Sequence, residues 1–326
     1  MEEQVTLEMI QDAANLMKND VRQTPIVTAK HISPDIFFKA ECLQRTGSFK
    51  LRGAYNKIMS LSDAEASRGI IACSAGNHAQ GVALAATMRG ARSFVCMPEN
   101  APTMKKEATA GYGAEVISVS GIYDDAAREA ERLCKEKGYT FVHPFDDPLV
   151  IAGQGSIALE ILQQFPEAEQ ILVPIGGGGL ISGIAVAVKA LKPECKVIGV
   201  QSSSVPSMYK SYANQKIQSV SDAKTFADGI HVLTPGSLTF EMCDKYVDDI
   251  VIVDEDEICA AIVSMLEGPK LVSEGAGATG LAAFMFHKVD TSKKTVCIVS
   301  GGNIDLDTLS RVIEIGKLKR EGFTVK

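Results

Sequence analysis

The stretch ILVPIGGGGLISG, Ile171 to Gly183, decides the architecture of this chain. An apolar run of strand length, Ile171 to Pro174, leads almost directly into Gly176, Gly177, Gly178 and Gly179, and the apolar pattern then continues as a helix to Leu191. A strand that feeds a glycine turn and then a helix is one half of a βαβ unit. Four residues without side chains let backbone amides converge on a phosphate, helped by the positive end of the helix. A dinucleotide fold would need GxGxxG and an acidic ribose ligand about 20 residues further on. Ile181 occupies the place of the third glycine and the following strand runs to Gln201, so both features count against NAD. A close-packed turn that holds no ligand satisfies the same motif.

Outward from this turn the same alternation fills the chain. Strands are expected at Ile70 to Cys73, Phe94 to Met97, Glu115 to Val119, Thr140 to Val142, Lys196 to Val200, Ile250 to Val253 and Thr295 to Val299. Helices are expected at Asn77 to Met88, Asp124 to Lys137, Gly179 to Leu191 and Asp256 to Leu266. Strands alternating with helices imply an α/β fold built on mainly parallel sheets, and 326 residues are enough for two domains. Two more small-residue turns follow strands, Ser74-Ala75-Gly76-Asn77-His78 and Ser300-Gly301-Gly302-Asn303. The first suits a carboxylate, although Asn77 also serves as a helix cap without any ligand. His78 has no acid near it in sequence and reads as structural. All three turns lie at carboxyl ends of strands, where open α/β sheets bind ligands. Gly47-Ser48-Phe49-Lys50 precedes another helical run, and a lysine at a helix start ordinarily faces water.

Composition limits the rest. With 46% hydrophobic and 22% charged residues the chain can bury large cores, and a net charge of -7 without a basic block argues against nucleic-acid or anionic-membrane binding. The partner is therefore expected to be a small molecule. The start, Met1-Glu2-Glu3, is no signal peptide, and no apolar run approaches the roughly 18 residues that span a bilayer, so the cytoplasm is the expected location. Cys42, Cys73, Cys96, Cys134, Cys195, Cys243, Cys259 and Cys297 form no CxxC pair and read as reduced fillers. Asp254 to Glu257 read as a helix cap, and Asp146 with Asp147, and Asp248 with Asp249, as ordinary element ends.

A lysine, a carboxylate turn, a glycine turn and a terminal serine turn, in this order, resemble the fold-type II pyridoxal-phosphate enzymes, closest to the threonine dehydratase and serine racemase group. The resemblance runs from Thr24 and Pro25 to Leu306 and rests on Gln44 to Gly53, Ser74 to Gly81, Val150 to Gly155, Val173 to Gly183, Ala227 to Gly229 and Ser300 to Asp305. It implies two open twisted sheets of the tryptophan synthase β-like kind. Residues 1–68 and 147–326 would form a large cofactor-binding domain, and 69–146 a small mobile substrate-binding domain. Pyridoxal 5'-phosphate would be linked as a Schiff base to Lys50 and would lie beside Phe49, with Asn77 on its 3'-oxygen. Gly176, Gly177, Gly178 and Gly179 would hold its phosphate, with Gly229 nearby. Ser300 would meet its ring nitrogen as a neutral hydroxyl, a partner that favours elimination over transamination. Ser74, Ala75, Gly76, Asn77 and His78 would bind the substrate carboxylate. The resemblance implies that Lys50, once freed, takes the α-proton, that the β-hydroxyl leaves, and that L-threonine gives 2-oxobutanoate and L-serine gives pyruvate, each with ammonia.

The chain departs from its relatives at informative places. Serine racemases carry a second serine where this chain has Ala75, so dehydration is expected over racemisation, with serine racemase and 3-hydroxyaspartate dehydratase as the alternatives. Gln201 and Ser207 replace the racemases' metal-binding carboxylates, so no tight magnesium or calcium site is expected, which leaves room for a monovalent ion held by carbonyls. Lacking a long regulatory region, the chain resembles the short catabolic dehydratases, which AMP can activate; the matching residues are Arg45, Thr46, Gln80, Tyr112 and Asn303, with Gly111 in place of an acid. Relatives form homodimers and homotetramers. Gly322, Phe323, Thr324 and Val325 read as the start of a further strand, as if a small regulatory domain followed. The reading from a different class is a module that senses an amino acid or nucleotide without turning it over.

Overall fold

The computed structural model describes residues 5–221 and 223–321, so Met1-Glu2-Glu3 and the expected strand start at Gly322 to Val325 lie outside the described residues. The chain opens with α1 (Leu7–Met17), β1 (Ile26–Thr28), β2 (Ile36–Lys39), α2 (Lys50–Met59) and α3 (Asp63–Arg68). Then come β3 (Ile70–Cys73), α4 (Asn77–Arg89), β4 (Ser93–Pro98), α5 (Thr103–Gly111), β5 (Glu115–Val119), α6 (Tyr123–Lys137) and β6 (Thr140–Phe141). These strands form a parallel sheet of their own, in the order β5-β4-β3-β6. The remainder is α7 (Pro148–Gln164), β7 (Gln170–Pro174), α8 (Gly179–Leu191), β8 (Lys196–Ser202), α9 (Ser207–Ala213), α10 (Ser237–Tyr246), β9 (Asp249–Val253), α11 (Glu255–Glu267), α12 (Gly275–Met285), β10 (Thr295–Ile298) and α13 (Leu306–Glu321). The second sheet runs β1-β2-β10-β7-β8-β9, parallel except for β1.

Side-chain alternation shows how each sheet is covered on both faces. In β7, Ile171 and Val173 join the core that holds Ile184 and Val188 of α8, while Leu172 joins the core of Leu281 and Ala282 of α12. In β10, Val296 and Ile298 fall on the first side, Cys297 on the second. In β3, Ile70 and Ala72 face Leu51 of α2, while Ile71 and Cys73 face Ala126 and Ala130 of α6. Strands buried on both faces read as unbroken apolar runs, which is why these were visible in the sequence. The strands β1 and β2 were not. They are three and four residues long, and β2 becomes a strand by pairing with β10 on one side, Val296 opposite Phe37, and with β1 on the other.

Helix ends follow local chemistry. Asp254 accepts the Glu257 amide at 2.7 Å while Glu257 accepts the Asp254 amide at 2.9 Å, a capping box that opens α11. Asp147 caps α7 ahead of Pro148, whereas Asp146 reaches across to accept the Ser237 and Thr239 amides at the start of α10. Beneath α2 lies a buried ionic cluster. Arg52 donates to Glu41 at 2.8 Å through both Nε and Nη2, and to Glu160 at 2.6 Å, and Lys39 donates to Glu160 at 2.6 Å. Burial alone would raise the Glu41 pKa, yet Arg52 and then Lys39 hold it below the usual carboxylate range. The eight cysteines are buried or half-buried, and burial pushes the Cys243 thiol up to about 12.

Candidate active site

Four stretches far apart in sequence meet at the carboxyl ends of β3, β7 and β10. Lys50 is the first residue of α2, and the turn before it is stitched to the Ser300 turn: Phe49 donates its amide to the Ser300 carbonyl at 3.0 Å, and Gly302 donates to Gly47 at 2.9 Å. Ser48 and Gly301 form an antiparallel bridge. From the other sheet, α4 packs against the same point. A Cβ on Gly81 would stand 3.0 Å from the Lys50 carbonyl carbon, so a side chain here would push the two helices apart by a few tenths of an ångström.

Lys50 itself is half-buried. Its Nζ donates to the Pro144 carbonyl at 2.7 Å and lies 5.3 Å from the centre of the Phe49 ring. Burial brings its pKa down to about 8, against a partial opposing pull from Glu274. An amine with that pKa is neutral in roughly one molecule in ten at pH 7, against fewer than about one in a thousand for an ordinary lysine. That makes Lys50 a usable nucleophile and base.

The residue after Pro144 reaches the glycine turn. A Cβ on Gly177 would fall 2.3 Å from the Phe145 ring, and Gly178 holds a left-handed φ of 99° as the N-cap of α8. Thr239 Oγ1 fixes the turn by donating to the Gly177 carbonyl at 2.6 Å. Among the described residues, no protein acceptor meets the amides of Gly176 to Gly179. This is a backbone cradle with the dipole of an apolar, buried helix behind it, suited to an anion.

A chain of amides crosses the remaining side. Asn303 Nδ2 donates to the Thr46 carbonyl at 2.9 Å and to Asn77 Oδ1 at 2.7 Å, and Asn77 Nδ2 donates to Glu274 Oε1 at 2.6 Å. The Thr46 carbonyl can only accept, so it sets the orientation of Asn303 and, through it, of Asn77. Ser300 is 3% exposed. Gly229, in the 3-10 turn Asp228–Ile230, faces Glu274, whose carboxyl a Cβ on Gly229 would meet at 3.1 Å. In the carboxylate turn, Ser74 Oγ accepts the Gly76 amide at 3.2 Å, and Ala75 is half-buried at the edge of the core cluster that holds Ala79, Ala83 and Val95. His78 Nε2 meets the Val142 carbonyl at 2.9 Å, and burial, then the charge of Lys50, drives its pKa down to about 3. It is a neutral structural side chain.

The residues matched to a nucleotide site group only in part. Tyr112 Oη donates to the Arg45 carbonyl at 3.2 Å, and Asn303 binds Thr46 as above, with Gly111 ending α5 beside Tyr112. Gln80 is buried on α4, one turn beyond Asn77. Among the described residues no group of three or more His, Cys, Asp or Glu side chains could hold a metal, and no helix is long and apolar enough to cross a membrane.

Three residues of the site escaped sequence reading. Pro144 and Phe145 sit in a loop with no motif of its own. Glu274 precedes Gly275-Ala276-Gly277, and an acid amid small residues at a helix start was the signal available for it. It is 4% exposed, and burial, then the charge of Asp228, raises its pKa to about 8.

A family model described as pyridoxal-phosphate dependent enzyme matches residues 17–301. An L-threonine ammonia-lyase of Thermotoga maritima is 49% identical over 320 residues, 97% of this chain and 80% of that protein. Among solved structures, the processed form of threonine deaminase isoform 2 from Solanum lycopersicum superposes with a TM-score of 0.90 at 35% identity, covering 95% of this chain and 89% of that one. A maize serine racemase does so with a TM-score of 0.90 at 35% identity, covering 98% and 99%.

Proposed function

The chain belongs to the pyridoxal-phosphate-dependent enzyme family, and on that premise we propose that it is a threonine dehydratase, a carbon-oxygen lyase that converts L-threonine to 2-oxobutanoate and ammonia and acts on L-serine in the same way. The observation that carries this reading is the half-buried Lys50 amine, with its pKa near 8, set among the glycine cradle, Asn77 and Ser300. These residues fit the cofactor. The cradle amides suit its phosphate, Asn77 keeps one N–H to spare for the ring oxygen, and the Ser300 hydroxyl suits the ring nitrogen. When bound, the cofactor supplies an electron sink for charge developing at the substrate's α-carbon.

The chain's own groups do the rest. Lys50, as a free amine, would take the proton from the substrate's α-carbon. The amides of Ser74 to His78 hold the substrate carboxylate. Ser300 is a neutral partner that cannot fix a proton on the ring as an acid would, which favours loss of the β-hydroxyl. Ala75 offers no proton to the substrate's opposite face, which favours dehydration over racemisation. Likeness to the maize racemase supports serine racemase as a second reading.

Residues 69–146, with their own sheet, act in this reading as the small mobile substrate domain, and the Lys105–Asp228 ion pair joins it to the rest at the rim of the site. The Arg45, Thr46, Tyr112 and Asn303 cluster supports a nucleotide effector. In this reading the protein is a cytoplasmic homodimer or homotetramer, as the family resemblance implies. Ammonia release from a panel of L-threonine, L-serine and 3-hydroxyaspartate, with chiral analysis of unreacted serine, tests the assignment. Binding of these amino acids without ammonia would sink it in favour of a sensing module.

A further inference from the structure

The Glu274 carboxyl is buried beside Asn77, and the proposed reaction makes no use of it. It lies between two glycines that leave room for it, since a Cβ on Gly301 would come within 2.5 Å of Oε1 and a Cβ on Gly229 within 3.1 Å. It accepts from Asn77 at 2.6 Å and from the Asn303 backbone, and no basic nitrogen stands within 4.0 Å of it among the described residues. A buried carboxylate without a cation is costly, and a neutral acid is not.

We propose that Glu274 is a positioning residue for the pyridoxal ring, acting as a neutral acid that locks the Asn77 carboxamide with its second N–H free for the ring's oxygen. The inference rests on reading the site as a pyridoxal-phosphate site. It goes further in giving the binding site a proton of its own. Burial pushes the Glu274 pKa up to about 8, with Asp228 adding to the rise and Lys105 offsetting it in part. The other groups facing it are Lys50 from α2 and Cys42, whose thiol burial keeps neutral with a pKa of about 12. Above pH 8 an ionised Glu274 would confront the cofactor's own negative charge, so cofactor binding weakens as pH rises. Lys50 losing its proton over the same range favours covalent capture in both proteins, and an ionised Glu274, which raises the Lys50 pKa, holds that gain back in the wild type, in the same direction as the charge repulsion.

The comparison that isolates Glu274 is therefore the ratio of pyridoxal-phosphate affinities of the wild-type chain and Glu274→Gln, both prepared without cofactor and followed by the visible absorbance of the lysine-bound form. At pH 7 the two should bind within about twofold of each other, while Glu274→Ala binds at least about tenfold more weakly. Between pH 7 and pH 9 the wild type should lose about tenfold relative to Glu274→Gln, as the protonated fraction of a group with a pKa of about 8 falls from about nine tenths to about one tenth. A ratio that stays flat with pH, or a glutamine variant as weak as the alanine one, overturns the inference. A wild-type chain that takes up no cofactor at all overturns instead the reading of the site on which the inference rests. Infrared difference spectroscopy of the cofactor-free proteins gives a second measurement that does not depend on binding. The C=O stretch of a protonated carboxyl should be present at pH 7 in the wild type and missing in Glu274→Gln, and its absence from the wild type also overturns the inference.

Discussion

The Nζ of Lys50 donates to the carbonyl oxygen of Pro144 at 2.7 Å, which ties the amine of α2 to the loop whose next residue, Phe145, covers the glycine turn. The hydrogen bond holds the side chain in place without giving it an anionic partner. Burial then lowers its pKa, and the pull of Glu274 offsets the lost hydration only in part.

Reaction of Lys50 with an aldehyde should follow its free-amine fraction. In the cofactor-free protein the rate should rise about tenfold per pH unit up to about pH 8 and level off above it, since a base with a lowered pKa is already deprotonated there. Lys50→Ala should lose the visible band and at least about a thousandfold in ammonia release. Retained activity in that variant would remove Lys50 from the chemistry.

Gly177→Ala should weaken pyridoxal-phosphate binding by about tenfold or more, with the circular dichroism spectrum unchanged. Its Cβ would stand 2.3 Å from the Phe145 ring, so either the ring or the turn must move, at a cost of about 1–3 kcal/mol. Equilibrium titration with the cofactor decides this, and unchanged affinity would show that the ring moves freely.

Arg52→Leu should destabilise the fold by about 3–5 kcal/mol in urea unfolding, because it leaves Glu41, fully buried, without its guanidinium. Adding Glu41→Gln should recover part of the loss. If the double variant is no more stable than the single one, the penalty lies in packing and not in the stranded charge.

Ala75→Ser should place a hydroxyl where serine racemases carry one and yield D-serine from L-serine, while dehydration of L-threonine stays within several-fold of the wild type. Chiral chromatography reads the outcome. D-serine formed by the wild type at a rate comparable to dehydration would contradict the role given to Ala75.

Much of the site was legible because each binding turn is local chemistry written in consecutive residues. Gly176 to Gly179 and Ser74 to His78 are strand-to-helix turns whose small residues announce them, and the strands before them are continuous apolar runs. Glu274, Pro144 and Phe145 were not legible, since each acts through what another segment brings to it. Phe145 matters because Gly177 has no side chain, and Glu274 because Asn77 points an N–H at it.

By itself the sequence determined the α/β alternation, the order of the turns, and the family the chain resembles, because periodicity and small-residue turns act within a few residues of one another. Only the tertiary structure decided that β2 is a strand, that the Lys50 pKa is lowered to about 8, and that a buried acid sits beside Asn77. Those properties come from burial and from pairing across distant segments, as when Phe49 meets Ser300, and solvent exclusion cannot be read from neighbours in the chain.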